Sequence, residues 1–508
     1  MTPLPARTRP TPTTTPSHSS THGRDFTQRL IVGVWNYSAL LAFADLDIAT
    51  HLAAQPLTTD QLADRFVAHP DSVHRLMRAL APHRLVRSTD AGTWQVTDAG
   101  ATLRKDAPHS MRLAVLRRAR EESWDELRRW PQFVTAGRAL RRFTSSPRKK
   151  RGATDTGSAL SPEPRAFPRP NDLIKDMIAA VDSFGALLVF ADLKIAERLA
   201  EQPQNVTDLA TIYGADPQTL SWMLHTLSSY GLLSIRTEGK VCSLRAAGQA
   251  LLDDRRDSMR PAVLMSGQEM WWDALRRLPN TVRRGWPALL GAAASPYTYL
   301  ETRPDDLALF QRFMSCRTQP IADAIGAHPF PASGLVVDVG GGQGTILAEI
   351  LRAPHNRDLR GLLLERPEVA QYARAYLTRS DLAERCKVTA ADFFAGVPVG
   401  GQTYLLASVV HNWPDAAAEV LLRRIAEAMA ATPGPSRLLC VDMLLPIGSD
   451  QPHPGLGLDI RMMSLFGDGR ERTTTEYTNL LHRAGFTVQN QIALPHGLSL
   501  IEATLAAR

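Results

Sequence analysis

The feature that most constrains this chain is a repeat at long range. The segment ALLAFADLDIATHLA, starting at Ala39, returns as ALLVFADLKIAERLA, starting at Ala186, and WDELRRWP at 124–131 returns as WDALRRLP at 272–279. The offsets are 147 and 148 residues, so the copies are collinear apart from one insertion. A period of that length is a duplicated module rather than a solenoid of short repeats. Both copies must fold alike, and any apolar face that one copy carries, the other carries too.

Each copy reads as three helices and a hairpin. An apolar helix (ALLAFADLDIATHLA) is followed by a Thr-initiated helix, LTTDQLADRF in the first copy and NVTDLATIYG in the second. A third helix, DSVHRLMRAL or DPQTLSWMLHTL, precedes a short hairpin, RLVRSTDAGTWQVT or GLLSIRTEGKVCSL. Three helices and a β-wing make a winged-helix arrangement. We place the first module at 26–142 and the second at 172–300. A Pro-, Ser- and Arg-rich segment without periodicity separates them at 143–171 and reads as a disordered linker. Its RKKR (148–151) is best taken as a solvated charge run. Residues 1–25, rich in Thr, Pro, Ser and Arg, read as a disordered tail.

Charge argues against a nucleic-acid enzyme. The net +7 divides into 26 basic and 15 acidic residues in 1–171, and 32 basic and 36 acidic residues in 172–508. The surplus belongs to the first module and linker, not to the C-terminal half. No run of about 18 apolar residues suggests a membrane span. The N-terminus lacks the apolar core of a secretory signal. Cys242, Cys316, Cys386 and Cys440 are scattered without a CxxC pair, which suits a reducing cytoplasm and no structural zinc.

We place a third domain at 301–508, in which strands alternate with helices from Leu335 onward. LVVDV, GLLLE, KVTAAD, TYLLASVV and RLLCVDML are strand-like, and ILAEIL, EVAQYARAYL, EVLLRRIAEAMA and EYTNLLHRAGF are helix-like. That alternation predicts an α/β fold, a doubly wound, mostly parallel sheet. TVQNQIALPHGLSLIEATL ends the chain as a hairpin that would add an antiparallel strand. The first strand runs into GGGQG and then a helix, which sets backbone N–H groups and a helix N-terminus beside a ligand. The glycines fall at 340, 342 and 344 with Thr at 345, so the three-glycine pyrophosphate fingerprint is not met. Glu365 ends the second strand, where a carboxylate can accept both hydroxyls of a ribose.

VVDVGGGQG, LLLERPEV, ADFF, VVHNWPD, VDMLLP, GRERTTTEY and AGF occur in the order and spacing of the S-adenosylmethionine-dependent O-methyltransferases. The chain resembles the plant caffeate/flavonoid type and its actinobacterial secondary-metabolism relatives, over about 172–508. Such proteins carry one winged-helix dimerisation domain, so the first module is extra. The resemblance implies a Rossmann-like methyltransferase sheet and S-adenosylmethionine as cosubstrate, with no metal. It implies that Asp338, Gly340 and Gly342 line the aminoacid and ribose end, with Glu365 on the diol. Asp392 and Phe393 would meet the adenine, with Trp413 as a second apolar wall. His411 occupies the base position, with Asp442 and Glu471 as its carboxylates. Asn412 departs from the common His-Asp-Trp, and Asp442 is one carbon shorter than the glutamate of plant members. The acceptor pocket would draw on Phe310, Met314, Trp271 and Met462, apolar groups suited to a small phenolic or polyketide-like metabolite.

A histidine suits the chemistry that the resemblance implies. The donor sulfonium is already activated, so the protein must align two atoms and take the acceptor proton. A phenol near pKa 10 facing an imidazole near 6.5 makes that transfer feasible. Two rival readings stand. One is a non-methylating relative of hydroxylase, decarboxylase or cyclase type. The other is a winged-helix DNA-binding regulator using HRLMRAL (74–80). For the duplication itself the expectation is an internal pseudo-dimer of the two modules, with an ordinary homodimer as the competing outcome.

Overall fold

A computed structural model describes residues 18–137, 170–236, 240–288, 296–446 and 453–507. The RKKR segment and most of the expected tail and linker lie outside the described residues.

The first module opens earlier than the composition suggested. A helix spans His18–Asp45, so residues 18–25 are not part of a tail. Arg24 donates to the Asp257 carbonyl at 2.9 Å, and Asp25 meets His496 Nδ1 at 2.9 Å. Nor is the repeated apolar segment one helix. In the first copy the helix stops at Asp45 and resumes over Ile48–Ala54, bent by 60°. In the second it runs Pro170–Asp192 and resumes over Ile195–Glu201. Asp47 and Lys194 sit at the breaks with φ +55° and +52°. The bend lets both arms bury their apolar residues, Phe43 and Ile48 at 0 % exposure, in one core. No single helix among the described residues is long and apolar enough to cross a membrane.

The capped helix and the wing appear in both modules, but in the second Asn205, not a threonine, caps the helix, and the wing gains a third strand. Thr58 and Gln61 form a reciprocal capping box at the start of Thr59–Phe66. The wing of the first module is β1 (Val86–Ser88) with β2 (Trp94–Val96). That of the second is β3 (Gln204–Asn205), β4 (Leu233–Arg236) and β5 (Val241–Leu244), in the order β3-β5-β4.

The two modules pack on each other through repeat-equivalent residues. Trp124 Nε1 donates to the Trp272 carbonyl at 3.0 Å, and Trp272 Nε1 to the Trp124 carbonyl at 2.9 Å. Tyr37 stacks on Trp124 as Phe184 stacks on Trp272, with centroids at 5.7 and 5.6 Å. Such ring pairs add about 0.5–1.5 kcal/mol beyond their buried area. The long helices pass closely at Gly33, where a Cβ would stand 3.0 Å from that of Ala180. Arg118–Asp182 at 2.5 Å and Arg283–Asp45 at 2.8 Å cross the same seam.

The C-terminal half is an eight-stranded sheet. Its strands are β6 (Ser333–Val339), β7 (Asp358–Glu365), β8 (Cys386–Ala390), β9 (Thr403–Ala407), β10 (Arg437–Leu445), β11 (Arg472–Thr473), β12 (Phe486–Ala493) and β13 (Leu498–Leu505). The order is β12-β13-β10-β9-β6-β7-β8, with β11 on β10. β6 to β10 pair in parallel, and β13 is antiparallel to β10, as the terminal hairpin predicted. Helix Pro454–Phe466 joins the two halves. Every residue from 455 to 465 is buried, and Leu458, Ile460, Met462, Met463 and Leu465 belong to the core of the modules rather than that of the sheet.

Candidate active site

The glycine turn follows β6 and leads into helix Thr345–Arg352. Gly340 and Gly342 hold φ +72° and +60°, which side chains rarely adopt, and a Cβ on Gly341 would fall 2.1 Å from Asp338 Oδ2. Asp338 is fully buried beneath the turn. Neither of its carboxyl oxygens finds a hydrogen-bond partner among the described residues. Burial, with a smaller push from Glu365, raises its carboxyl from the usual 3.8 to about 7. Glu365, 7 % exposed at the end of β7, accepts from Gly342 N at 3.0 Å and Arg366 N at 2.9 Å. Two bonds leave a carboxylate with spare lone pairs. An orphaned buried carboxyl under a glycine turn, with a second carboxylate beside it, fits a ligand carrying a cationic group and a diol.

The aromatic wall forms beside that turn. A Cβ on Gly340 would lie 3.6 Å from the Phe393 ring and 3.2 Å from Val409. Phe393 and Trp413 meet edge-on at 6.0 Å. Phe394, which the sequence reading passed over, stands closer to Trp413, at 4.8 Å and 90°. The Phe doublet in ADFF was its only signal. Asp392 Oδ1 accepts from Phe394 N at 2.9 Å and so fixes this corner.

His411 sits in a 3₁₀ turn, Val410–Asn412, just past β9, and is 5 % exposed. Ser408, at φ +55°, turns the chain, and its carbonyl accepts from Asn412 Nδ2 at 3.1 Å. The amide at 412 thus serves the backbone of the turn. His411 Nδ1 lies 2.8 Å from Glu471 Oε1. The second expected carboxylate falls short: Asp442 Oδ1 is 4.0 Å from Nδ1, and Tyr477 donates to its Oδ2 at 2.8 Å. A short side chain tied to a buried phenol cannot also reach the ring. Burial pushes the Asp442 carboxyl up to about 6, and Glu471 adds to the rise against the pull of His411. Tyr477, in the quoted GRERTTTEY, was not assigned a role from sequence.

The four acceptor candidates separate. Met462 is 3 % exposed, and a Cβ at Gly469 would touch its methyl at 2.8 Å and the His411 carbonyl at 3.1 Å. Phe310 and Met314 pack against the core of the modules, and Phe310 lies 6.1 Å from the buried Trp271 ring. A cavity of about 840 Å³ opens elsewhere, where helix His18–Asp45 meets Pro304–Gly326 and Pro454–Phe466. Trp35, Phe313, Met443, Leu456 and Arg461 line it, and none of the four candidates does. Among the described residues no group of three or more His, Cys, Asp or Glu could hold a metal ion.

The regulator reading loses its instrument. Arg75 and Arg78 of HRLMRAL are 3 % and 15 % exposed and are engaged by Asp459 of the C-terminal half, so that helix does not present them to a groove.

Comparison with known proteins agrees with the geometry. The O-methyltransferase domain family matches residues 272–487, and the O-methyltransferase dimerisation domain family matches residues 28–106. A phenazine O-methyltransferase of Lysobacter antibioticus is 32 % identical over 338 residues, 66 % of this chain and 96 % of that protein. An aclacinomycin 10-hydroxylase of Streptomyces purpurascens is 33 % identical over 333 residues, 63 % of this chain and 86 % of that one. A methyltransferase of calicheamicin biosynthesis, solved with S-adenosylhomocysteine, superposes with a TM-score of 0.60 at 26 % identity, covering 67 % of this chain and all of that one. With the sheet order, the turn and these matches in hand, the chain belongs to the S-adenosylmethionine-dependent O-methyltransferase family.

Proposed function

We propose that the chain methylates a phenolic hydroxyl of a small aromatic or polyketide-like secondary metabolite, with His411 as general base. One observation carries this: the buried 2.8 Å contact between His411 Nδ1 and Glu471. A carboxylate on Nδ1 fixes the tautomer and leaves Nε2 to receive the acceptor proton. Glu471 stabilises the imidazolium that results, and Asp442, held by Tyr477, adds negative charge nearby. S-adenosylmethionine, when bound, supplies the electrophilic methyl group. Asp338, Gly340 and Gly342 hold its aminoacid and ribose end, and Glu365 accepts the ribose hydroxyls. Asp392, Phe393 and Trp413 enclose the adenine. Met462 forms the acceptor wall nearest His411.

His411→Ala should lower turnover of labelled S-adenosylmethionine with a panel of phenols by about 10²–10⁴-fold, with cofactor affinity nearly unchanged. Wild-type turnover in that variant defeats the assignment. The competing reading, a reaction other than methylation, draws support from the hydroxylase relative. A methylated product from the wild-type chain rules it out.

The reciprocal seam supports pairing of the two modules within one chain, in place of a partner subunit. Light scattering should then give 55.8 kDa, and a stable species of twice that mass would show an ordinary homodimer.

A further inference from the structure

The loop that delivers Glu471 is gripped by the first module. Arg75 and Arg78 lie on helix Pro70–Leu80. Arg75 donates from Nη2 to the Asp459 carbonyl at 2.9 Å and the Gly469 carbonyl at 2.8 Å, and from Nε to Asp459 Oδ2 at 3.2 Å. Its Nη1 reaches the Gly467 carbonyl at 3.4 Å. Arg78 Nη2 donates to Asp459 Oδ2 at 3.1 Å and to the Glu471 carbonyl at 3.5 Å. The other oxygen of Asp459 accepts from Glu471 N at 3.0 Å. The same loop is tied to the histidine turn: Arg470 N donates to the His411 carbonyl at 2.8 Å, and Arg472 to the carbonyls of Val410 and Trp413. Arg470 also pairs with Asp71 of the first module at 3.1 Å.

We propose that Arg75 and Arg78 are positioning residues for the reaction: through Asp459 and the carbonyls of residues 467–471 they fix the backbone from which Glu471 reaches His411. This rests on the reading of His411 and Glu471 as base and orienter. The contacts are stiff, because Arg75 and Asp459 are 3 % and 2 % exposed and a guanidinium fork satisfies several acceptors in one fixed geometry. Burial alone would push the Asp459 carboxyl up, and the two arginines more than offset it and hold it below the usual range. The arrangement is one-sided. At the repeat offset of 147 the second module has Trp222 and His225, and Trp222 packs edge-on against Trp130 at 6.1 Å. Only the first copy carries the cations, which gives that module a role at the site.

The test is proton exchange at His411 Nδ1–H in the full chain, read by NMR with ¹⁵N-histidine labelling and assigned by its loss in His411→Gln. The wild type should show a protected signal that disappears in Glu471→Ala. In Arg75→Gln and Arg78→Gln, exchange should quicken by at least about 10-fold, with near-UV circular dichroism unchanged. Arg87→Gln, on the exposed wing of the same module, should leave it alone. Adding Arg75→Gln to Glu471→Ala should change turnover little, although Arg75→Gln alone lowers it by about 10–100-fold, the range expected of a small misplacement. If Arg75→Gln does not fold, the more exposed Arg78→Gln carries the measurement. A signal equally protected in the folded arginine variants, or turnover losses that multiply in the double variant, overturns the proposal. A wild-type chain with no protected signal overturns the dyad itself, and the proposal with it.

Discussion

Glu365→Ala tests the cofactor assignment most directly. In the protein the carboxylate accepts from Gly342 N and Arg366 N at 3.0 and 2.9 Å. Those donors lose their partner whether or not a ligand is bound, so most of that penalty cancels from a binding measurement. The difference that remains is the pair of bonds to the ribose diol. Hydrogen bonds to a charged group are worth about 1.5–3 kcal/mol each, and water recovers part on release, so we expect about 2–3 kcal/mol in total. That weakens Kd by about 30–150-fold. Glu365→Gln keeps one acceptor oxygen and should lose about 10-fold. Calorimetry with S-adenosylmethionine and with S-adenosylhomocysteine separates the causes, since both carry the ribose and only one the sulfonium. Equal losses on both support the diol. A Kd within about 3-fold of wild type refutes the assignment, and a loss confined to S-adenosylmethionine reassigns Glu365 to the sulfonium charge.

Asp338 makes a pH prediction. Its carboxyl, raised from 3.8 to about 7, stays protonated in the free protein through mildly acid pH. The raised value means that its contribution to stability is present below about 3.8 and is lost as pH climbs toward 7. A cationic aminoacid group favours the ionised form, so affinity for S-adenosylmethionine should rise as pH passes upward through about 7. Calorimetry at pH 6.5 in buffers of different ionisation enthalpy should show proton release, and Asp338→Asn should abolish it; pH-independent affinity removes the assignment. At the seam, Trp124→Phe and Trp272→Phe each remove a buried indole N–H···O bond and should each cost about 0.5–1.5 kcal/mol in urea unfolding. The contacts are reciprocal, so a large difference between the two would show that the modules do not pair this way in solution.

The parts of the site that could be read from sequence are those with local causes. β6 needs apolar residues on both faces, the turn needs positive φ at Gly340 and Gly342, and the proposed ribose contact needs an acid at the end of β7. Each leaves a mark within a few residues. The helix break at Asp47 and Lys194 left none, because neither residue is a glycine and the apolar period continues across the bend. Tyr477 with Asp442 is a contact across 35 residues, and Arg75 with Asp459 spans 384. In HRLMRAL the two arginines read as a cationic helix surface, the ordinary fate of arginine, and only the fold shows the buried acid that faces them.

The duplication also explains which differences between the copies the fold can accept. Residues serving each module's own packing are matched: Arg112 Nε donates to the Ala44 carbonyl at 2.8 Å, as Arg260 Nε does to that of Ala191 at 2.7 Å. At the centre of the seam the residues are matched as well, since Trp124 and Trp272 each need the other's carbonyl, whereas the flanking Arg118–Asp182, Arg283–Asp45 and Trp130–Trp222 contacts have no counterpart among the described residues. Residues facing the catalytic half are under no such rule, because one chain holds two modules and a single catalytic half. There the copies part, with Asp71, Arg75 and Arg78 against Gln218, Trp222 and His225. A homodimer of identical subunits could not separate those duties. A residue placed to grip the catalytic half of one subunit would recur on the other, and every seam change would appear twice. Joining two modules in one chain lifts that symmetry, so one copy can be shaped to hold Glu471 while the other keeps the packing.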